Sequence, residues 1–347
     1  MNPDHATAQP GQAVELRDGQ HDFDFRFGVW HTHLRRVADP FSNPSQSFVL
    51  EGTVTVRKVW DGKAQLEEIE ADGPKGHWEA LTLFLYNPQA HQWASPFINS
   101  RSGQLDSPVI GSFQNGRAEL FGQDTFNGKT ILVRRAWSEI KPNSHHFEES
   151  YSNDGGRTWK ATLIGDLTRK QDAATQDGSA IADPEHTDPI TPEQHQFDFD
   201  LGTWTTHTRR LLHPLTGSNT WVDLDGKTVV RKVWAGRANL AEYDAEGAGA
   251  HVTLLALRWF NPTTHEWNLD FATPQVGTLG IPGVGTFKDG RAEFYGFDTV
   301  DGRNILIKFS IWKITGDTAQ SEQAFSADGG KTWEVNWITH YTRIAKD

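Results

Sequence analysis

QHDFDFRFGVWHTHLRR at positions 20–36 returns as QHQFDFDLGTWTTHTRR at 194–210, an offset of 174 residues. The same offset carries RKVW (Arg57, Arg231), NPxxHxW (Asn87, Asn261), GRAE (Gly116, Gly290) and SxDGGxTW (Ser152, Ser326) without a gap. A period this long exceeds any solenoid unit, so each copy must be a whole domain. The expected organisation is a disordered lead-in over 1–20, copy 1 over 21–170, a linker over 171–193 and copy 2 over 194–347. The linker, rich in Asp, Pro and small residues, has the composition of a connecting segment.

Turn chemistry punctuates each copy: Asp61-Gly62, Asn87-Pro88, Asn115-Gly116, Asn127-Gly128 and Asp154-Gly155-Gly156 in the first, with counterparts in the second. Alternating runs such as ILVRRAW and LTLFLYN lie between them, and no stretch sustains a helical period. Fourteen tryptophans, 32 glycines and one methionine suit aromatic-rich strands and tight turns. The expectation is all-β: two tandem antiparallel barrels of eight to ten strands, since a meander that hides its edges closes.

The composition excludes several functions. With no cysteine, disulfides, zinc-thiolate sites and cysteine nucleophiles are impossible, which suits a cytoplasmic location. A net charge of −12 with scattered basic residues opposes nucleic acid and anionic membranes. No zincin, P-loop, Gly-x-Ser-x-Gly or dinucleotide motif occurs, so neither cofactor nor metal is expected. His31 and His33, with Thr205 and His207 in copy 2, and the unmatched His145 and His146 read as surface or packing residues. His91 and His265 read as braces of their turns.

Gly-x-Trp at the head of the first strand (Gly28, Trp30; Gly202, Trp204) and Thr-Arg on the last (Thr168, Arg169; Thr342, Arg343) resemble the lipocalin and calycin pattern. There, tryptophan closes the barrel floor and arginine packs across it. With the FDF lead-in, both copies resemble a bacterial calycin-like family of unknown function, which implies a barrel with a pocket and supplies no catalytic residues. His340 resembles in position the haem-ligating histidine of nitrobindin-like calycins, but copy 1 has Asp166 there. SxDGGxTW fits the Asp-box of sialidases. One box per copy is too few for a propeller, so it reads as a turn in which Asp154 and Asp328 bind backbone amides.

Site candidates come from the hairpin at Asp61-Gly62, whose two-residue loop pairs Trp60 with Lys63, Arg57 with Leu66 and Thr55 with Glu68. That face is apolar apart from Arg57 and Glu68, and Arg231 and Glu242 in copy 2. It is therefore expected to point inward, with the charges as a cross-strand pair. Arg57, Arg231, Arg134 and Lys308 are the candidate ligand-binding cations. Glu68, Glu242, Glu148 and Glu322 are the candidate proton-transfer groups, while Asp124 and Asp298 read as turn residues. The leading functional expectation is binding of a small apolar or aromatic molecule, anionic ones included. The alternatives are a cofactor-free isomerase, cyclase or lyase, and a structural pseudo-dimer with a degenerate pocket. The copies are expected to pack together as an intramolecular pseudo-dimer, because a gap-free duplication suggests a symmetric ancestor.

Overall fold

The computed structural model describes residues 17–43, 45–170 and 191–345. Most of the expected lead-in and linker lies outside the described residues. Turns fall where the dipeptides place them: Asn127 and Gly128 take φ values of 49° and 73°, the double left-handed conformation that closes a tight hairpin. The first copy runs β1 (Gly28–Val37), β2 (Ser47–Val59), β3 (Ala64–Gly73), β4 (Gly76–Asn87), β5 (Gln92–Ser95), β6 (Phe97–Asn99), β7 (Val109–Gln114), β8 (Arg117–Phe126), β9 (Lys129–Lys141), β10 (Ser144–Ser152) and β11 (Lys160–Arg169). The second runs β12 (Gly202–Leu211), β13 (Trp221–Val233), β14 (Ala238–Gly247), β15 (Ala250–Asn261), β16 (Glu266–Ala272), β17 (Gly283–Lys288), β18 (Arg291–Val300), β19 (Arg303–Trp312), β20 (Thr318–Ser326) and β21 (Glu334–Ala345).

Each set closes into a ten-stranded antiparallel barrel, through β3–β4 in the first and β12–β21 in the second. The extra strand in copy 1 arises at Pro96, which lacks the N–H a ladder needs and splits β5 from β6. Asp270 stands there in copy 2, and β16 runs through unbroken.

The floor is sealed by the tryptophan and arginine that the resemblance singled out. Trp30 donates its indole N–H to the Arg26 carbonyl (2.7 Å), and the Arg169 guanidinium stacks 4.1 Å from the ring while donating to the carbonyls of Phe25 (3.1 Å) and Pro142 (3.0 Å). Arg343 lies 3.9 Å over Trp204 and likewise binds the carbonyls of Phe199, Leu201 and Gly316. Just before each copy, Trp93 and Trp267 donate to the carbonyls of Gly19 (2.9 Å) and Glu193 (3.2 Å), so the segments entering both barrels are fastened alike.

One continuous apolar cluster draws on both barrels. Trp60, Leu66, Leu83 and Leu85 from the first meet Trp234, Leu240, Leu257 and Trp259 from the second, the same positions in each copy. The close approaches are reciprocal. A Cβ on Gly103 would sit 2.8 Å from Asn261 Cα, and one on Gly277 would sit 2.5 Å from Asn87 Cα. Polar groups at this seam find partners across it: Arg237 pairs with Glu79 at 2.8 Å, and the Trp234 amide donates to Glu68.

Candidate functional site: the lumen of the first barrel

The strand register Arg57↔Leu66 and Thr55↔Glu68 is as expected, although Trp60 and Asp61 both take φ 53° and replace the simple two-residue loop with a turn of 3-10 type. The facing is reversed. Val54, Glu67 and Ile69 line the lumen, while Ala64 and Leu66 lie in the seam and Glu68 is bound to Trp234 across it. Arg57 pairs with Glu68 on that outer face. In copy 2, Arg231 meets Glu242 at 3.0 Å with the arginine half exposed. The apolar face belongs to the partner barrel, so both faces of this hairpin are buried and alternation cannot tell them apart.

The other candidates are displaced the same way. Arg134 and Glu148 pair at 3.1 Å on the outer wall, with Arg134 over Trp159. Lys308 lies over Trp333, and Glu322 shares that outer row, opposite Ser310 in the ladder. Three of the lumen charges are immediate neighbours of candidates: Glu67 beside Glu68, Arg135 beside Arg134, Glu149 beside Glu148. A shift of one residue in a strand exchanges faces. The signal that separates them is divergence between the copies, because the lumen residues become Ala241, Phe309 and Gln323 whereas the outer ones keep their charge.

The first lumen holds a cavity of about 380 Å³. Its walls include Leu34, Phe48, Trp78, Phe97, Trp137 and Phe147, with a charged cluster halfway up. Arg135 Nε donates to Glu149 Oε2 at 2.9 Å, and Arg36 approaches Oε1 at 3.4 Å. Burial pushes the Glu149 carboxyl up, but the two guanidiniums outweigh it and hold the pKa below the usual range. Burial, reinforced by Glu149, raises the Tyr151 phenol well above its ordinary value. Asp106 near the mouth is pushed up to about 6 by burial, against the pull of Arg135. Deeper, buried Arg26 pairs with Glu67 and stacks 3.9 Å from Phe84.

His145, expected to be a surface or packing residue, is a packing one. It lies edge-on to Trp30 at 4.5 Å and lines the cavity, and its pKa is lowered to about 3 by burial and then by Arg26 and Arg169. It is therefore neutral at physiological pH. Thr32 Oγ1, Ser95 Oγ and His145 Nδ1 all belong to lining residues, and each is buried without a hydrogen-bond partner among the described residues. A guest carrying a polar group would satisfy them.

Copy 2 lines the equivalent space differently. Tyr243, Thr208, Thr339 and Trp337 replace Ile69, Leu34, Gly165 and Leu163. The Tyr243 hydroxyl bonds Thr208 (3.0 Å), which bonds Thr339 (2.9 Å), and the Tyr243 ring meets Trp337 edge-on at 6.0 Å. The deep ion pair persists with its polarity exchanged: Asp200 stands for Arg26, and Arg258 for Phe84.

The remaining motifs are structural. Asp154 accepts from the Thr158 amide (3.0 Å) and hydroxyl (2.7 Å), and Asp328 binds Thr332 identically; these bonds hold the Asp328 carboxyl down at about 2. Asp124 accepts its neighbour's amide (2.6 Å) at the rim. His91 and His265 sit in their turns at φ 52° and 58°. His340 is exposed and pairs in the ladder with His207. Among the described residues no cluster of three metal-ligating side chains occurs, and no helix is long and apolar enough to cross a membrane.

Among solved structures, the chain is similar to an S-type phycobiliprotein lyase from Guillardia theta, at 11% identity over 44% of this chain and 93% of that one, with a TM-score of 0.33. A DUF3598-family protein of unknown function from Nostoc punctiforme matches 95% of this chain and 100% of its own, at 10% identity and a TM-score of 0.26. Transferrin-binding protein B from Neisseria meningitidis matches 86% of this chain and 66% of its own, at 8% identity and a TM-score of 0.20. At these scores the likenesses say nothing about ligand or activity. No family model and no curated protein matches the sequence.

Proposed function

We propose that this is a calycin-like tandem in which the first barrel binds a small molecule with an apolar or aromatic body and an acidic group, and the second is its differently lined counterpart. The observation that carries the reading is the contrast between two lumens on one scaffold. The first has a cavity within the range of ligand sites, while in the second a hydrogen-bonded chain of Tyr243, Thr208 and Thr339 runs across the corresponding positions. Acidic guests are favoured by the balance of charge. With Glu67 matched by Arg26, the lining cations Arg36, Lys75, Arg101 and Arg135 exceed the anions Asp106, Asp124 and Glu149 by one. Enzymatic proton transfer has one foothold in this lumen, Asp106, whose pKa suits a general base.

The test crowds the first lumen. Ile69→Tyr with Leu163→Trp brings two bulky side chains of the second lumen into the first, and circular dichroism checks that the variant keeps its strands. Anilinonaphthalene sulfonate, an aromatic anion that brightens when removed from water, serves as the probe. It should bind the parent and lose at least about tenfold in affinity in the double variant. Equal binding to both would place the dye elsewhere and sink the proposal.

A further inference from the structure

We infer that the second barrel holds the mouth of the first barrel's pocket in shape, with Trp259 as the positioning residue. The inference rests on the reading of the first lumen as a binding site. The segment from β6 to β7 lines the mouth with Asn99, Arg101 and Asp106. Its other side faces the second barrel: Ile98 and Leu105, bridged to each other, sit in or against the seam cluster. At the tip, the Trp259 indole N–H donates to the Gly103 carbonyl at 2.9 Å. Gly103 (φ 59°) comes so close to Asn261 and Pro262 that a Cβ there would lie 2.7 Å from Pro262 Cδ. Only glycine allows both the left-handed turn and this approach.

The tip is otherwise tied to its own base. Asn99 Oδ1 accepts the amides of Arg101 (2.9 Å) and Ser102 (3.1 Å), and Arg101 reaches the carbonyls of Lys75 (3.1 Å) and His77 (2.9 Å). Arg101 and Asp106 thus share one small rigid piece, and its outer fastening comes from the other copy. The arrangement is asymmetric. Trp259 corresponds to Leu85, which has no donor, and the reverse contact is made instead by Asn87 Nδ2 to the Val276 carbonyl (3.0 Å). A binding surface held by elements outside it keeps its geometry without ordering cost when the guest arrives.

The experiment compares the full chain with Trp259→Phe, which keeps the ring and removes the N–H. Trp221→Phe on the β13 outer wall is the control. Amide exchange across residues 99–107 should quicken about three- to tenfold in Trp259→Phe, and anilinonaphthalene sulfonate should leave faster by a similar factor. The control should change neither. Faster exchange confined to the second barrel, or unchanged exchange at 99–107, would overturn the inference. If the parent chain does not bind the dye, the binding proposal fails alone, and exchange at 99–107 still decides the role of Trp259.

Discussion

Asp106 and His145 line the same cavity and respond to pH in opposite directions. Burial raises Asp106 to about 6, so between its unfolded value near 4 and pH 6 the folded chain binds more protons, and stability falls as pH rises through that window. Asp270 in the second barrel, also raised to about 6 by burial, adds the same sign. His145 is lowered to about 3, so between pH 6.5 and 3 the unfolded chain binds more protons, and stability is lost as pH falls. Asp106→Asn should therefore raise the melting temperature relative to the parent above pH 6 and not below pH 4. His145→Gln should flatten the acid limb. Melting curves across pH 3 to 8 check both, and an Asp106→Asn benefit independent of pH would refute the assignment. The sequence offered no handle on these two groups, because burial within the lumen depends on which strands close around them.

At the scale of elements, the floor closure and the buried ion pair make different predictions. Arg169→Ala or Arg343→Ala removes a guanidinium stacked on an indole together with donors to several carbonyls. Each should cost about 1–3 kcal/mol by chemical denaturation while leaving dye affinity intact. Arg135→Met instead leaves the buried Glu149 on β10 with only Arg36 and Tyr151 of its partners, and should cost about 3–5 kcal/mol. Adding Glu149→Gln should recover most of that loss. Failure of the second substitution to rescue would show that Arg135 acts through packing on Phe97 rather than through its charge.

For the whole molecule, the reciprocal glycine contacts and matched seam positions support the proposal that the fused copies retain the interface of a symmetric ancestor. The full chain should then scatter as one compact particle with a single-peaked distance distribution. A bimodal profile would refute the packed arrangement. Residues 191–347 expressed alone should fold as a barrel but expose Leu240, Leu257 and Trp259, and so self-associate. Leu257→Glu should return that fragment to a monomer in light scattering. Persistent dimers would place the self-association on another face.

The sequence by itself determined the duplication, by self-comparison, and the strand-and-turn rhythm and the ladder register around Arg57 and Leu66, by local spacing, because turn residues and pairing rules act over a few positions. The floor with Trp30 and Arg169 was what the resemblance to the calycin pattern implied. The sequence did not determine which face of the Arg57 hairpin was the lumen. Periodicity of two marks a face as apolar but does not say what covers it, and here the more apolar face packs against another barrel while the lumen keeps its charges. That choice shifts the lumen-facing charges by one residue, from Glu68, Arg134 and Glu148 to Glu67, Arg135 and Glu149. Only closure of the barrels and their contact across the seam decided it, since facing in a strand depends on both surfaces and on neighbours distant in the chain.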